Sequence, residues 1–125
     1  MAEIELTPDR LIVRVTGIDR ILSMTSSLEI PLAHVTGADG DEEEARRIWH
    51  GLRVGGVPIP GLLREGSFLS HGELVFWDVH DPARAVVVSL RHEKYERLVV
   101  GVEDPGATVE AIRAAVRDLN GESPA

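Results

Sequence analysis

The chain has 125 residues, of which 43% are apolar and 27% are charged. This length and balance suit one globular domain, and they exclude a wholly disordered, collagen-like or membrane-spanning chain. The sequence contains no Cys, which excludes disulfides, thiol catalysis and thiolate metal sites. Its formal net charge of −8 disfavours nucleic acids and anionic lipid surfaces as partners.

Apolar residues recur at every second position through the first third of the chain, which is the period of β-strands. This alternation predicts strands at 3–7, 10–16, 18–24, 27–32 and 34–39. Pro31 has no backbone N–H, so its strand is expected to lie at a sheet edge or to end there.

The alternation breaks between residues 41 and 66. Acidic residues come early in 41–52 and arginines come late, as a helix dipole favours, so this segment predicts either one helical turn or a solvated hairpin tip. Residues 55–66 contain two prolines and four glycines, which predict a long irregular connection.

Strand patterns resume in the second half of the chain, at 67–70, 73–79, 85–91 and 97–102. The segment 85–91 is the strongest of them because it is rich in β-branched residues. In 73–79 successive side chains alternate between two faces, so one of the rings of Phe76 and Trp77 is expected inside and the other outside or under the 55–66 connection.

The last element has a helical period and begins after Asp104 and Pro105, which suit the N-cap and the first helical position. Its apolar side chains share one face, at Val109, Ile112, Val116 and Leu119. The sequence therefore predicts a mainly β fold in one domain, 1–120, with a mobile tail at 121–125. The predicted fold is a bent antiparallel barrel of about seven strands, closed at its open end by the apolar stripe of one C-terminal α-helix.

Five segments carry a resemblance to a known family, and in chain order they are VTGIDRIL, LEIPLAHVTGAD, VPIPGLLREGSF, ELVFWDVHDPARAVVVSL and YERLVVGVEDP. Together they resemble a family of small bacterial pleckstrin-homology-like (PH-like) proteins of unassigned function. The resemblance covers roughly residues 5–118, and FWDV, DPARAVVV and YERLVV are its most specific parts.

The resemblance implies a PH-like barrel, a stand-alone cytoplasmic domain and a capacity to self-associate. It implies no activity, because the family has no established catalytic residues. Eukaryotic lipid-binding members carry a basic cluster in the first hairpin loop, whereas the corresponding turn at 17–20 has one Arg beside one Asp. Phosphoinositide and membrane binding are therefore not expected.

The Gly- and Pro-rich insertion at 55–68 is the main candidate for binding, since long loops in compact domains are often binding elements. Its apolar residues must either cover the barrel or meet a partner. The predicted binding residues are Leu63, Arg64, Phe68 and Trp77. The alternative for Trp77 is a place in a second small core.

A metal site is the alternative hypothesis. Asp78 and His80 lie two apart on one strand and therefore share a face, and His71 stands just before that strand. These three residues could ligate a metal ion, or they could form a polar strand end with solvated histidines. No sequence motif for a nucleophile, a metal or a phosphate-binding loop supports catalysis.

These observations predict a non-catalytic binding or scaffold module that uses no cofactor. Its partner would be a protein or peptide, or a second copy of the chain, bound at a sheet edge or in the groove between barrel and helix. The alternative is a small metal- or ligand-binding barrel, and potentially an enzyme, that uses His71, Asp78 and His80. The first residues do not form a secretory signal, so a cytoplasmic location is expected.

Overall fold

The computed structural model describes residues 2–15, 26–59 and 66–121, which form two β-sheets and two α-helices. The strand predicted at 18–24 and the turn predicted at 17–20 lie outside the described residues. The tail predicted at 121–125 also lies outside them, except for Gly121.

The first sheet is an antiparallel meander of β1 (Ala2–Leu6), β2 (Arg10–Val15) and β3 (Ser26–Pro31). Leu6 lies opposite Leu11, and Leu11 lies opposite Ile30, so apolar residues from the three strands share one face. Pro31 is the last residue of β3, which is an edge strand of this sheet, and the prediction for Pro31 is therefore confirmed.

The second sheet has six strands in the order β4-β8-β9-β7-β6-β5, so β4 and β5 are its edges. Its members are β4 (Val35–Asp39), β5 (Val57–Pro58), β6 (Ser67–Ser70), β7 (Glu73–Asp78), β8 (Ala85–Leu90) and β9 (Arg97–Gly101). The strong β pattern at 85–91 belongs to β8, which pairs on both sides.

The predicted antiparallel barrel is wrong in two respects for the described residues. β7 and β9 are parallel, with Val75 opposite Arg97 and Asp78 opposite Val100. The chain reverses from β7 to β8 and again from β8 to β9, and β9 then inserts between the other two. Two reversals make β9 run in the direction of β7. The described strands also form two separate sheets and no closed barrel.

The segment predicted as one turn or a hairpin tip is a full helix, α1 (Glu42–Gly55). Asp41 caps its N-terminus, since the Asp41 side chain accepts a hydrogen bond of 2.9 Å from the backbone N–H of Glu43. The apolar residues Ala45, Ile48 and Leu52 recur at helical spacing and are buried. This stripe is short and interrupted by polar residues, which is why the pattern alone predicted less helix.

The C-terminal helix is α2 (Pro105–Leu119), as predicted. The Asp104 side chain accepts a hydrogen bond of 3.1 Å from the backbone N–H of Ala107, and Pro105 follows it at the first helical position. Val109 and Ile112 are buried. Neither helix in the described part of the chain combines the length and the apolar character that crossing a bilayer requires.

The six-stranded sheet is covered on both faces. A first core lies between the two sheets and α2, and it contains Phe76, Val86, Val88, Leu98 and Ile112 among others. A second core lies between the sheet and α1, and it contains Ala45, Leu52, Val75, Val87 and Val99 among others. Burial on both faces explains the unbroken β-branched run of β8.

Candidate functional site

A groove of about 330 Å³ lies between the edge strand β4 and the helix α2. We call it the edge groove. It is lined by Val35, Thr36, Gly37 and Ala38 of β4 and by Ile112, Arg113, Val116 and Arg117 of α2. Its floor is apolar because Val35 and Ile112 belong to the first core. The groove therefore combines a strand edge with a helix wall.

The backbone of β4 is irregular inside the edge groove. Val35 lies opposite Leu90 and Gly37 lies opposite Ser89, so Thr36 is the extra residue of a β-bulge. A Cβ atom built on Gly37 would find no atom within 4 Å. The sheet face at Gly37 is therefore unobstructed where a side chain would project.

Two arginines of α2 place positive charge on the helix wall of the edge groove. The Arg113 Nε–H donates to the carbonyl of Ala38 at 3.0 Å, so this carbonyl faces α2. Arg113 and Arg117 lie four residues apart on the helix, where like charges repel. Neither forms an ion pair within the described residues. In a chain of net charge −8, the groove thus offers a local cationic wall.

Two of the predicted binding residues, Phe68 and Trp77, come together around Trp49 of α1. The ring centroids of Trp49 and Trp77 are 4.8 Å apart in a stacked arrangement. Those of Trp49 and Phe68 are 5.9 Å apart, edge to face. All three rings are partly buried and pack against the second core. Leu63 and Arg64, the other two predicted binding residues, lie outside the described residues.

The predicted group of His71, Asp78 and His80 does not converge. His71 precedes β7 and Asp78 ends it, and a six-residue strand separates its two ends by about 17 Å. No group of three His, Asp or Glu side chains in residues 2–15, 26–59 and 66–121 could hold a metal ion. β7 ends at Asp78, so His80 lies beyond the strand on which the prediction placed both residues.

A second cavity, of about 430 Å³, opens beside the stacked tryptophans and reaches Asp78 and His80. The Oδ2 atom of Asp78 is buried and has no hydrogen-bond partner among the described residues. Asp78 therefore lines one cavity together with Trp49 and Trp77.

A buried polar contact joins the hydroxyls of Ser67 and Tyr95 at 2.7 Å, and Tyr95 belongs to the first core. Burial raises the pKa of Tyr95 above its ordinary value of 10.0, and the Ser67 hydrogen bond offsets part of this effect. A neutral phenol held in this way is a structural element of the core, and it lies away from the edge groove.

Because the folded protein holds the Tyr95 proton more tightly than the unfolded chain does, stability is expected to fall as pH rises from 10 through the raised value. Below pH 10 this contribution is fully present. Tyr95 is the only tyrosine, so the absorbance change of tyrosinate reports on it alone. A Tyr95→Phe variant should lose this part of the pH dependence, and a titration midpoint at or below 10 in the folded protein would contradict it.

For the edge groove, the sequence predicted the two kinds of binding surface, a sheet edge and a groove between barrel and helix. It did not identify Gly37 or Arg113 as residues of the site. The two elements are joined by a hydrogen bond between residues 38 and 113, and no local pattern encodes such a distant contact. The available signal was the glycine in the strand at 34–39 together with two arginines next to the apolar stripe of the last helix.

No protein-family model, no curated protein and no solved structure matches this chain.

Proposed function

We propose that this protein is a non-catalytic binding module that holds an extended, acidic peptide segment of a partner protein in the edge groove. The observation that carries the proposal is the position of β4, an edge strand whose open side faces a groove walled by α2. The segment would add to β4 as a further strand and lie against the helix.

Backbone pairing provides the first part of the recognition. An edge strand presents N–H and C=O groups that another chain can pair with. Gly37 brings no side chain into the groove, and no described atom lies within 4 Å of its Cβ position, so the sheet face beside the added segment is unobstructed there. The bulge at Thr36 limits the length of the strand that can pair, which favours a short segment over open-ended aggregation.

Charge provides the second part. Arg113 and Arg117 form no ion pair in the described part of the chain, and a guanidinium binds carboxylates in a planar, two-pronged geometry. An aspartate or glutamate on the added strand would meet both arginines and relieve their mutual repulsion. The apolar floor at Val116 would accept a small side chain beside it.

The same proposal includes the PH-like assignment made from the sequence. A meander of three strands, a second sheet, and a C-terminal helix packed on the core between them support it. The helix α1 and the parallel pairing of β7 with β9 are features that this chain would add to such a fold. The cytoplasmic location remains a prediction from the sequence.

A Gly37→Leu substitution is expected to abolish peptide binding and leave the fold intact, because its side chain would occupy the open space of the edge groove. Binding peptides would be selected from a displayed random library and measured by calorimetry. We expect acidic, β-branched sequences, and at least a tenfold loss of affinity in Gly37→Leu, about 1.4 kcal/mol. Amide shifts on binding should concentrate at residues 35–39 and 112–117.

The matched control is Gly51→Leu on α1, where a Cβ atom also meets nothing within 4 Å. It should bind the selected peptides like the wild type. Failure to enrich any peptide, or equal losses in both variants, would overturn the proposal. If Gly37→Leu instead converts a dimer into a monomer in light scattering, the occupant of the edge groove is a second copy of the chain.

A further inference from the structure

A third cavity, of about 230 Å³, lies between α1 and the hairpin of β6 and β7, on the face of the six-stranded sheet opposite α2. We call it the hairpin pocket. Its polar lining is formed by Arg47, Ser70, His71, Glu73 and Arg97. Leu52 and Val75 of the second core also line it. An apolar base with a few convergent polar groups is typical of a small-ligand site.

The arginines of the hairpin pocket are not neutralised by close ion pairs. Arg46 pairs with Glu42 at 3.0 Å, whereas its neighbour Arg47 forms no ion pair within the described residues. Arg97 approaches Glu73 only at 3.9 Å between Nη2 and Oε2, with both side chains almost half exposed. Two guanidinium groups therefore border one cavity with a single, loosely held carboxylate.

His71 adds a third nitrogen donor from an unusual backbone position. The two residues that join β6 to β7 are His71, with φ of 53°, and Gly72, with φ of 78°. Both are left-handed, as in a type I′ hairpin turn, where Asn or Gly is the favoured residue. Histidine adopts a left-handed backbone more readily than most residues, but Asn and Gly are favoured more strongly in this turn, so the turn does not require an imidazole here.

We propose that the hairpin pocket binds the phosphate group of a small phosphorylated molecule. The pocket is bordered by Arg47 on α1, by Arg97 on β9, and by Ser70 and His71 where β6 ends and the turn begins. A guanidinium binds phosphate oxygens in a two-pronged geometry, and a tetrahedral phosphate offers oxygens to donors on several sides at once. The apolar base would accept the short organic part. The site is separate from the edge groove and does not depend on the peptide proposal.

The test is a titration of the isotope-labelled full chain with inorganic phosphate, glycerol 3-phosphate and acetate, followed by amide chemical shifts. We expect saturable shifts at residues 47–51, 70–73 and 97 with both phosphates, and weaker binding of acetate. Arg47→Gln should weaken phosphate binding about tenfold or more, because it removes a charged donor. Glu73→Gln should strengthen it, because Arg97 is released from its carboxylate.

His71→Asn separates the roles of the turn and the site. Asn is preferred in this turn, so the variant should fold at least as stably as the wild type while its affinity for phosphate falls. The control is His92→Asn, because His92 is also left-handed, with φ of 58°, and does not line the hairpin pocket. Equal effects of the two histidine variants, shifts that do not saturate, or weaker binding in Glu73→Gln would overturn the proposal.

Discussion

A Phe76→Ala substitution is expected to lower the free energy of unfolding by about 3–5 kcal/mol, the range for deleting a fully buried aromatic ring. Phe76 is 1% exposed and lies in the first core. Its ring meets Tyr95 edge to face at a centroid distance of 5.9 Å. It also lies so close to Gly66 that a Cβ atom there would come within 2.7 Å of its Cε1. Urea denaturation followed by tryptophan fluorescence measures the loss.

The matched control is Phe68→Ala, which deletes the same ring from a partly exposed position. Phe68 packs edge to face on Trp49 at the margin of the second core. Folding removes less apolar surface of Phe68 from water, and water can fill the space that the variant opens. The loss of unfolding free energy should therefore be clearly smaller than in Phe76→Ala. Equal losses of unfolding free energy would mean that the buried ring and the partly exposed ring contribute alike to stability, which would contradict the prediction.

The contrast between Phe76 and its neighbour Trp77 shows what strand alternation can and cannot predict. The period of two correctly separated the two rings onto opposite faces of β7. It left open what covers Trp77, because that depends on whether the preceding segment is a loop or a helix. The answer is Trp49 of α1, whose apolar stripe is too short to be read clearly beside so many charges.

Strand pairing is the part of the fold that the sequence predicted least well. The segments 73–79, 85–91 and 97–102 were each predicted as strands and correspond to β7, β8 and β9. Their spatial order places β9 between β7 and β8. Short connections favour neighbouring antiparallel strands, and this general tendency predicted a simple antiparallel order. The observed order depends on long-range packing, which local periodicity does not encode.

The candidate site also depends partly on local patterns, which the sequence shows, and partly on long-range packing, which it does not. The edge groove needs an apolar helix stripe and an edge strand. The stripe and a strand at 34–39 were predicted from local patterns, but the edge position of that strand was not. Its particular chemistry comes from Gly37 and from Arg113, which lies 75 positions after Ala38 in the chain and donates a hydrogen bond to the Ala38 carbonyl. The roles of Phe68 and Trp77 in binding stay predictions, with a structural place in the second core now established beside them.

The last prediction concerns the helix that walls the edge groove. An Ile112→Ala substitution is expected to lower the free energy of unfolding by about 2–5 kcal/mol, since Ile112 is 0% exposed and fills the first core from α2. Leu119→Ala on the same helix removes a side chain that is 39% exposed, and it should change stability by less than about 1 kcal/mol. Both are measured by urea denaturation.

Ile112 also lines the edge groove, so the same substitution is expected to lower both the stability of the protein and its affinity for the peptide. Peptide binding should weaken in Ile112→Ala even under conditions in which the variant is fully folded, because the helix wall loses its contact with the core. Gly37→Leu should block the same groove without a comparable loss of stability. If Ile112→Ala were no more destabilising than Leu119→Ala, α2 would not anchor the first core, and a groove walled by a loosely held helix could not provide a defined binding surface.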